Sequence, residues 1–182
     1  MKLSLRDLLG EHLNELYNAE KQTLRCLQRT LRQISINDLR EAVHSHLEET
    51  QGQLERISTA LEQLDLPTLR RVSEGMRSLV DEAQFQIDAI DRSALLDFVI
   101  VSGLQQIKHY EIASYATAIT LAEAIDEPEV ADSFREARIE EHDFDGKLGY
   151  LATEVIIPLV MESEEDDDDD TEADEQVSAH RG

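Results

Sequence analysis

An apolar residue at every third or fourth position, sustained over long stretches, is the feature that most limits how this chain can fold. The first run reads Leu5, Leu9, Leu13, Leu16, Glu20, Leu24, Leu27 and Leu31, a spacing that stacks side chains on one face of an α-helix. Ser4, followed by Asp7, makes a shortened capping box, so a helix is expected from about Ser4 to Arg32. A second is expected from Asp38 to Leu64. Asp65-Leu66-Pro67 ends it, because a residue preceding proline is pushed out of helical geometry. A shorter amphipathic helix follows, with Leu69, Val72, Met76, Leu79, Ala83, Ile87 and Ile90 along one face. After a break at Asp91-Arg92-Ser93, a third long helix is expected over Ala94–Ala124. It is apolar around much of its circumference, as a helix surrounded by neighbours must be. The fourth starts at Asp126-Glu127-Pro128, since proline suits a first turn, and runs to about Val155, with Pro158 helping to stop it.

No period-two alternation is sustained anywhere in the sequence. Short links make the first and second helices one antiparallel hairpin and the third and fourth another, while a connection of roughly 25 residues with its own helix joins the pairs. That pattern predicts an all-α, ferritin-like four-helix bundle with one long helical crossover, rather than a simple up-down bundle. Residues 1–161 are expected to form it. Beyond Met161 the sequence ESEEDDDDDTEADEQVSAHRG loses all apolar periodicity, and 162–182 is expected to be a disordered acidic tail.

Charge narrows the partners. The net charge is −23, and the segment 162–182 holds eleven acids against the single base Arg181. Such a surface repels nucleic acid and anionic membranes. No apolar stretch is long enough to span a bilayer, and the first segment, carrying Asp7 and Glu11, does not read as a secretory signal. A cytoplasmic location is expected. The single cysteine, Cys26, provides neither an intramolecular disulfide nor a CxxC motif. Four lysines against thirteen arginines on an acidic chain match a salt-adapted cytoplasm, although a merely acidic protein would show a similar composition. No nucleophile motif or phosphate-binding glycine loop is present.

What interrupts the apolar stripes points to chemistry. Glu20 takes the inward position between Leu16 and Leu24. Glu111 lies on the line Ile100, Leu104, Ile107, and Glu141 between Ala137 and Phe144; His46 and Glu49 share a face of the second helix. All lie near the middles of their helices, hence in one layer a few ångströms deep at about 1.5 Å per residue. A lone Glu on such a stripe is commonly a snorkelling or arginine-paired side chain, but four coinciding in facing and height are a different matter. Carboxylates crowded in an apolar core repel one another and lose hydration, and a bound divalent cation relieves both. The candidate metal ligands are therefore Glu20, His46, Glu49, Glu111 and Glu141. Asp145, one turn beyond Glu141, is either a further ligand or a hydrogen-bond partner of one. The mixed carboxylate and imidazole set suits iron or manganese, with zinc also compatible.

With those residues in view, the chain resembles the YciE/YciF family of ferritin-like stress proteins. The resemblance is carried by LYNAEKQTL (16–24), HLEETQGQLERI (46–57), GMRSLVDEA (75–83), IKHYEIASYATAITLAE (107–123) and EEHDFDGKLGYLA (140–152). It implies a bundle related to rubrerythrin and bacterioferritin, a homodimer, expression linked to stress, and a role in metal binding or oxidant defence without a defined substrate. It also implies acids and histidines at Glu20, His46, Glu49, His109, Glu111, Glu141 and Asp145, all present here. Two positions depart from the family pattern. Lys108 stands where a Glu is usual, which removes a ligand and brings a cation to the layer. In the second helix His46-x-x-Glu49 replaces Glu-x-x-His. The alternative function is a non-catalytic dimeric scaffold or interaction protein that keeps a vestigial polar layer.

Overall fold

The computed structural model describes residues 3–165, which form α1 (Leu5–Thr30), α2 (Asn37–Gln63), α3 (Glu74–Asp88), α4 (Ala94–Ala124) and α5 (Pro128–Leu151). Among the described residues there is no strand, and no helix is long and apolar enough to cross a membrane. The architecture is the expected ferritin-like four-helix bundle. α1 packs on α2, α4 on α5, and α1 on α4, while α3 lies over α1 and α4. With α1, α3 and α5 all against it, α4 buries most of its circumference, which is why its sequence is apolar over so much of its surface.

Local chemistry explains the boundaries. Ser4 and Asp7 form a complete capping box, each bonding the other's backbone N–H. α2 and α4 both end on an aspartate in the left-handed region, Asp65 (φ 48°) and Asp126 (φ 60°). The following N–H then returns to a carbonyl five residues back, Leu66 to Leu61 at 2.9 Å and Glu127 to Ala122 at 3.0 Å. The crossover is tied to α1 by amides. Asn14 bonds the Pro67 carbonyl and Leu69 N–H, and Asn18 accepts from Ser73 N–H. α3 approaches α4 at Gly103, where a Cβ would sit 2.9 Å from that of Ala83.

Two expectations need correction. Leu69 and Val72 belong to the exposed crossover rather than to a helical face, and α3 instead buries Met76, Val80, Ala83 and Ile87. Pro158 does not stop the last helix. Ala152–Ile156 forms a π-helical turn, in which Ile157 N–H bonds Ala152 O, and residues 157–165 remain helical. Widening the turn opens the hydrogen-bond ladder where proline has no N–H to give. Helix thus covers 162–165 of the segment expected to be a tail; 166–182 lie outside the described residues.

Asp97 was not anticipated. It is fully buried, and its carboxylate accepts from Ser35 N–H (3.0 Å), Ser35 Oγ (2.6 Å) and Ile36 N–H (2.8 Å). Ile36 is the N-cap of α2 and has no side-chain cap of its own. An acid on α4 therefore caps α2 and fastens the α1–α2 link. Replacing Asp97 by Ala should lower the unfolding free energy by about 3 kcal/mol, because hydrogen bonds to a charged group are lost and buried donors are stranded. Urea denaturation of Asp97→Ala beside Asp97→Asn would measure this, with Asn keeping part of the loss back.

Besides a small apolar cluster under α3 around Ala19, Met76 and Ile107, two larger ones fill the bundle, one around Leu13, Leu61, Ile119 and Phe134, the other around Leu27, Val43, Leu104 and Leu148. Between them lies a polar layer.

Candidate functional site

Each long helix sends polar side chains into that layer from near its middle: Glu20 and Thr23 from α1, His46 from α2, Lys108, Glu111 and Tyr115 from α4, and Glu141 from α5, all of them buried. One oxygen each from Glu20, Glu111 and Glu141 falls within 4.8 Å of the others. The stripe positions read from sequence thus deliver these three acids to a common point.

At its centre is Lys108. Nζ lies 2.6 Å from Glu111 Oε2, 2.8 Å from Glu141 Oε2 and 2.8 Å from His46 Nε2. The carboxylate contacts are close ion pairs rather than aligned hydrogen bonds, and the contact to His46 is a hydrogen bond. Because the ammonium can only donate, His46 Nε2 is the acceptor, which puts the imidazole proton on Nδ1. That proton is donated to Glu49 Oε2 at 2.8 Å. The ring is held from the side by Phe144, stacked at 3.9 Å between centroids. Thr23 donates to Glu111 Oε1 (2.5 Å) and Tyr115 to Glu20 Oε1 (2.7 Å). Glu20 Oε2 has no donor.

The electrostatics follow from burial. Lost hydration, reinforced by Glu111 and Glu141, holds the Glu20 carboxyl well above the usual range. Lost hydration also raises Glu141, to about 8, although Lys108 pulls the other way. Burial first, then the Lys108 charge, drives His46 down to about 2, so it is a neutral acceptor at physiological pH. For Lys108 the burial penalty is outweighed by Glu111, Glu141 and Glu20 together, and its affinity for the proton rises.

The other candidates lie elsewhere. Glu49 is 41% exposed, on the outer side of His46, and orients the ring instead of joining the acids. Asp145 faces outward, 3.3 Å from His109, which is 68% exposed. A recess of about 130 Å³ lined by Ser45, Glu49, Asp143 and Lys147 reaches only the edge formed by His46 and Phe144. Sequence reasoning brought the Lys108 charge to the layer, without its central place there, and missed Thr23. The signal available for Lys108 was its position one turn before Glu111 on a largely apolar helix.

Three carboxylates and an imidazole are suitable donors for iron or manganese. A metal bound to Glu111, Glu141 and His46 Nε2 at about 2.0–2.2 Å would have to stand where Nζ stands. A second ion would need Glu49 and Asp145, which lie outside the layer. The residues do not fit a two-metal centre. Glu20, Glu111 and Glu141 could hold one ion, and the Lys108 ammonium lies against two of them.

Comparison with known proteins agrees with the fold. A family model described as a domain of unknown function (DUF892) matches residues 4–158. Protein YciF of Escherichia coli K12 is 37% identical over 150 residues, covering 82% of this chain and 90% of YciF. The crystal structure of that E. coli stress protein superposes with a TM-score of 0.79, covering 84% of this chain and 96% of the other. YcfI of Rhodopseudomonas palustris, described as a candidate structural protein, is 32% identical with a TM-score of 0.77, covering 80% and 93%.

Proposed function

The chain belongs to the DUF892 family, and from that premise we propose that it is a stress-response protein whose polar layer is a metal-independent structural element, the bundle acting as a non-catalytic scaffold. The stress role is taken from YciF, and a structural role is the description given to YcfI. The observation that carries the reading is Lys108 Nζ within 2.8 Å of Glu111, Glu141 and His46. An internal ammonium there does what a metal ion does in other bundles of this type: it offsets the mutual repulsion of buried acids. A buried ion-paired layer also selects one alignment of the four helices, because any slip separates Lys108 on α4 from Glu141 on α5 and His46 on α2.

The test is the metal content of protein purified from iron- and manganese-supplemented cells, together with its melting temperature with and without chelator. Substoichiometric metal and an unchanged melting temperature are expected. One equivalent per chain, with a lower melting temperature in chelator, would overturn the proposal.

A second reading is favoured by the convergence of Glu20, Glu111 and Glu141. With Lys108 displaced, these acids and His46 Nε2 would hold one iron or manganese ion, which would bring Lewis-acid or redox chemistry to the layer. The same measurement separates the two.

A further inference from the structure

Beyond balancing charge, the position of Lys108 has a consequence for selectivity. The acids around it form more than a cluster: Glu20 Oε2 is completely buried and lacks a hydrogen-bond donor, and one oxygen of this carboxylate shares a small volume with oxygens of Glu111 and Glu141. Buried carboxylate oxygens are almost always partnered, so an orphan here marks space for a cation that the ammonium only partly serves. His46 Nε2 also points inward with its lone pair, because Glu49 takes the proton on the opposite nitrogen. This is the tautomer in which imidazole ligates metals, with a carboxylate bonded to its other nitrogen.

We infer that Lys108 is the residue that excludes divalent cations from a one-ion site made of Glu20, Glu111 and Glu141, with His46 Nε2 beside Glu141 as a further donor. The exclusion is both steric and electrostatic. Nζ stands at 2.6–2.8 Å from Glu111, Glu141 and His46 Nε2, and its charge repels a dication at contact range without the screening of bulk water. The long stem of Lys108 lies within the packed α4 face, and the whole side chain is 0% exposed. It cannot swing to solvent without opening the bundle.

The inference rests on the metal-independent reading, and the experiment separates the failure of each. Wild type, Lys108→Ala, Lys108→Gln and Lys108→Arg would each be titrated with Mn²⁺ and with Co²⁺. Retained metal is measured after desalting, and visible absorption reports Co²⁺ held by protein ligands. Lys108→Ala should retain one ion per chain, with affinity raised by about a hundredfold or more over wild type, and its melting temperature should rise with metal. Lys108→Arg keeps the charge and should stay empty. Glu111→Gln in the Lys108→Ala background should abolish uptake. One equivalent in wild type would sink the metal-independent reading whatever the variants do. An empty wild type beside empty Ala and Gln variants would overturn the role given to Lys108 and leave that reading standing. Should both neutral variants unfold without metal, recovery of helical structure on adding Co²⁺ supports the site, and failure to recover counts against it.

Discussion

Lys108→Met is expected to lower the unfolding free energy by about 3–5 kcal/mol at neutral pH, the cost of removing one partner from the buried Lys108–Glu111 ion pair. The side chain it removes is wholly buried and serves two acids and an imidazole at once. Methionine preserves most of the volume, so the loss reports charge rather than a cavity. Glu111→Gln alone should be milder, because Lys108 keeps Glu141 and His46. The double variant Lys108→Met, Glu111→Gln should recover a substantial part of the single lysine loss, since one of the stranded charges has gone. Chemical denaturation of the four proteins forms a double-mutant cycle. A Lys108→Met protein as stable as wild type would show that the ammonium does not sit among these acids.

The second large effect is the dependence of stability on pH, and its sign is unusual for carboxylates. Glu141 releases its proton near 4.5 when unfolded but only at about 8 in the folded chain. Between those values the folded state holds a proton that the unfolded state lacks, so stability falls as pH rises. Glu20, also raised well above its ordinary value, acts in the same direction. His46 opposes them. Its pKa falls from 6.5 to about 2 on folding, so between these values the unfolded chain is the better proton binder and stability rises with pH. The opposition ends at 6.5, and the steepest decline is expected from there to about 8. Each acid contributes about 1.4 kcal/mol per pH unit while it differs between the two states. Lys108, whose proton affinity is raised, stabilises throughout this range and loses its contribution only in strong alkali. Glu141→Gln should remove its share of the slope: more stable than wild type at pH 8, little changed near pH 5. A pH profile identical to wild type would show that Glu141 is not the group responsible. Repulsion among surface acids has the same sign, and the variant isolates the buried part.

Much of this molecule can be read from the order of its residues, because the relevant physics is local. Periodicity of three and four, the Ser4 and Ser93 caps, and the length of the crossover determine four long helices, a short one between the pairs, and the ferritin-like arrangement. The same periodicity turns Glu20, His46, Glu111 and Glu141 inward near mid-height, since facing depends only on the 3.6-residue turn and on which positions are apolar. Tertiary structure decided the rest. Glu49 shares a face with His46, yet its carboxylate ends on the outer nitrogen of the ring, because Phe144 and Lys108 claim the inner side. Asp145 is drawn to His109 and Gln105 at the surface. Asp97 finds its partners on a link more than sixty residues earlier in the chain, and helix continues past Pro158 through a π-turn. Lys108 is the clearest case. Lys108 lies beside the line that carries Glu111, and a long flexible stem lets the ammonium settle where acids from α1, α4 and α5 make the field most negative. That field exists only once the helices are assembled.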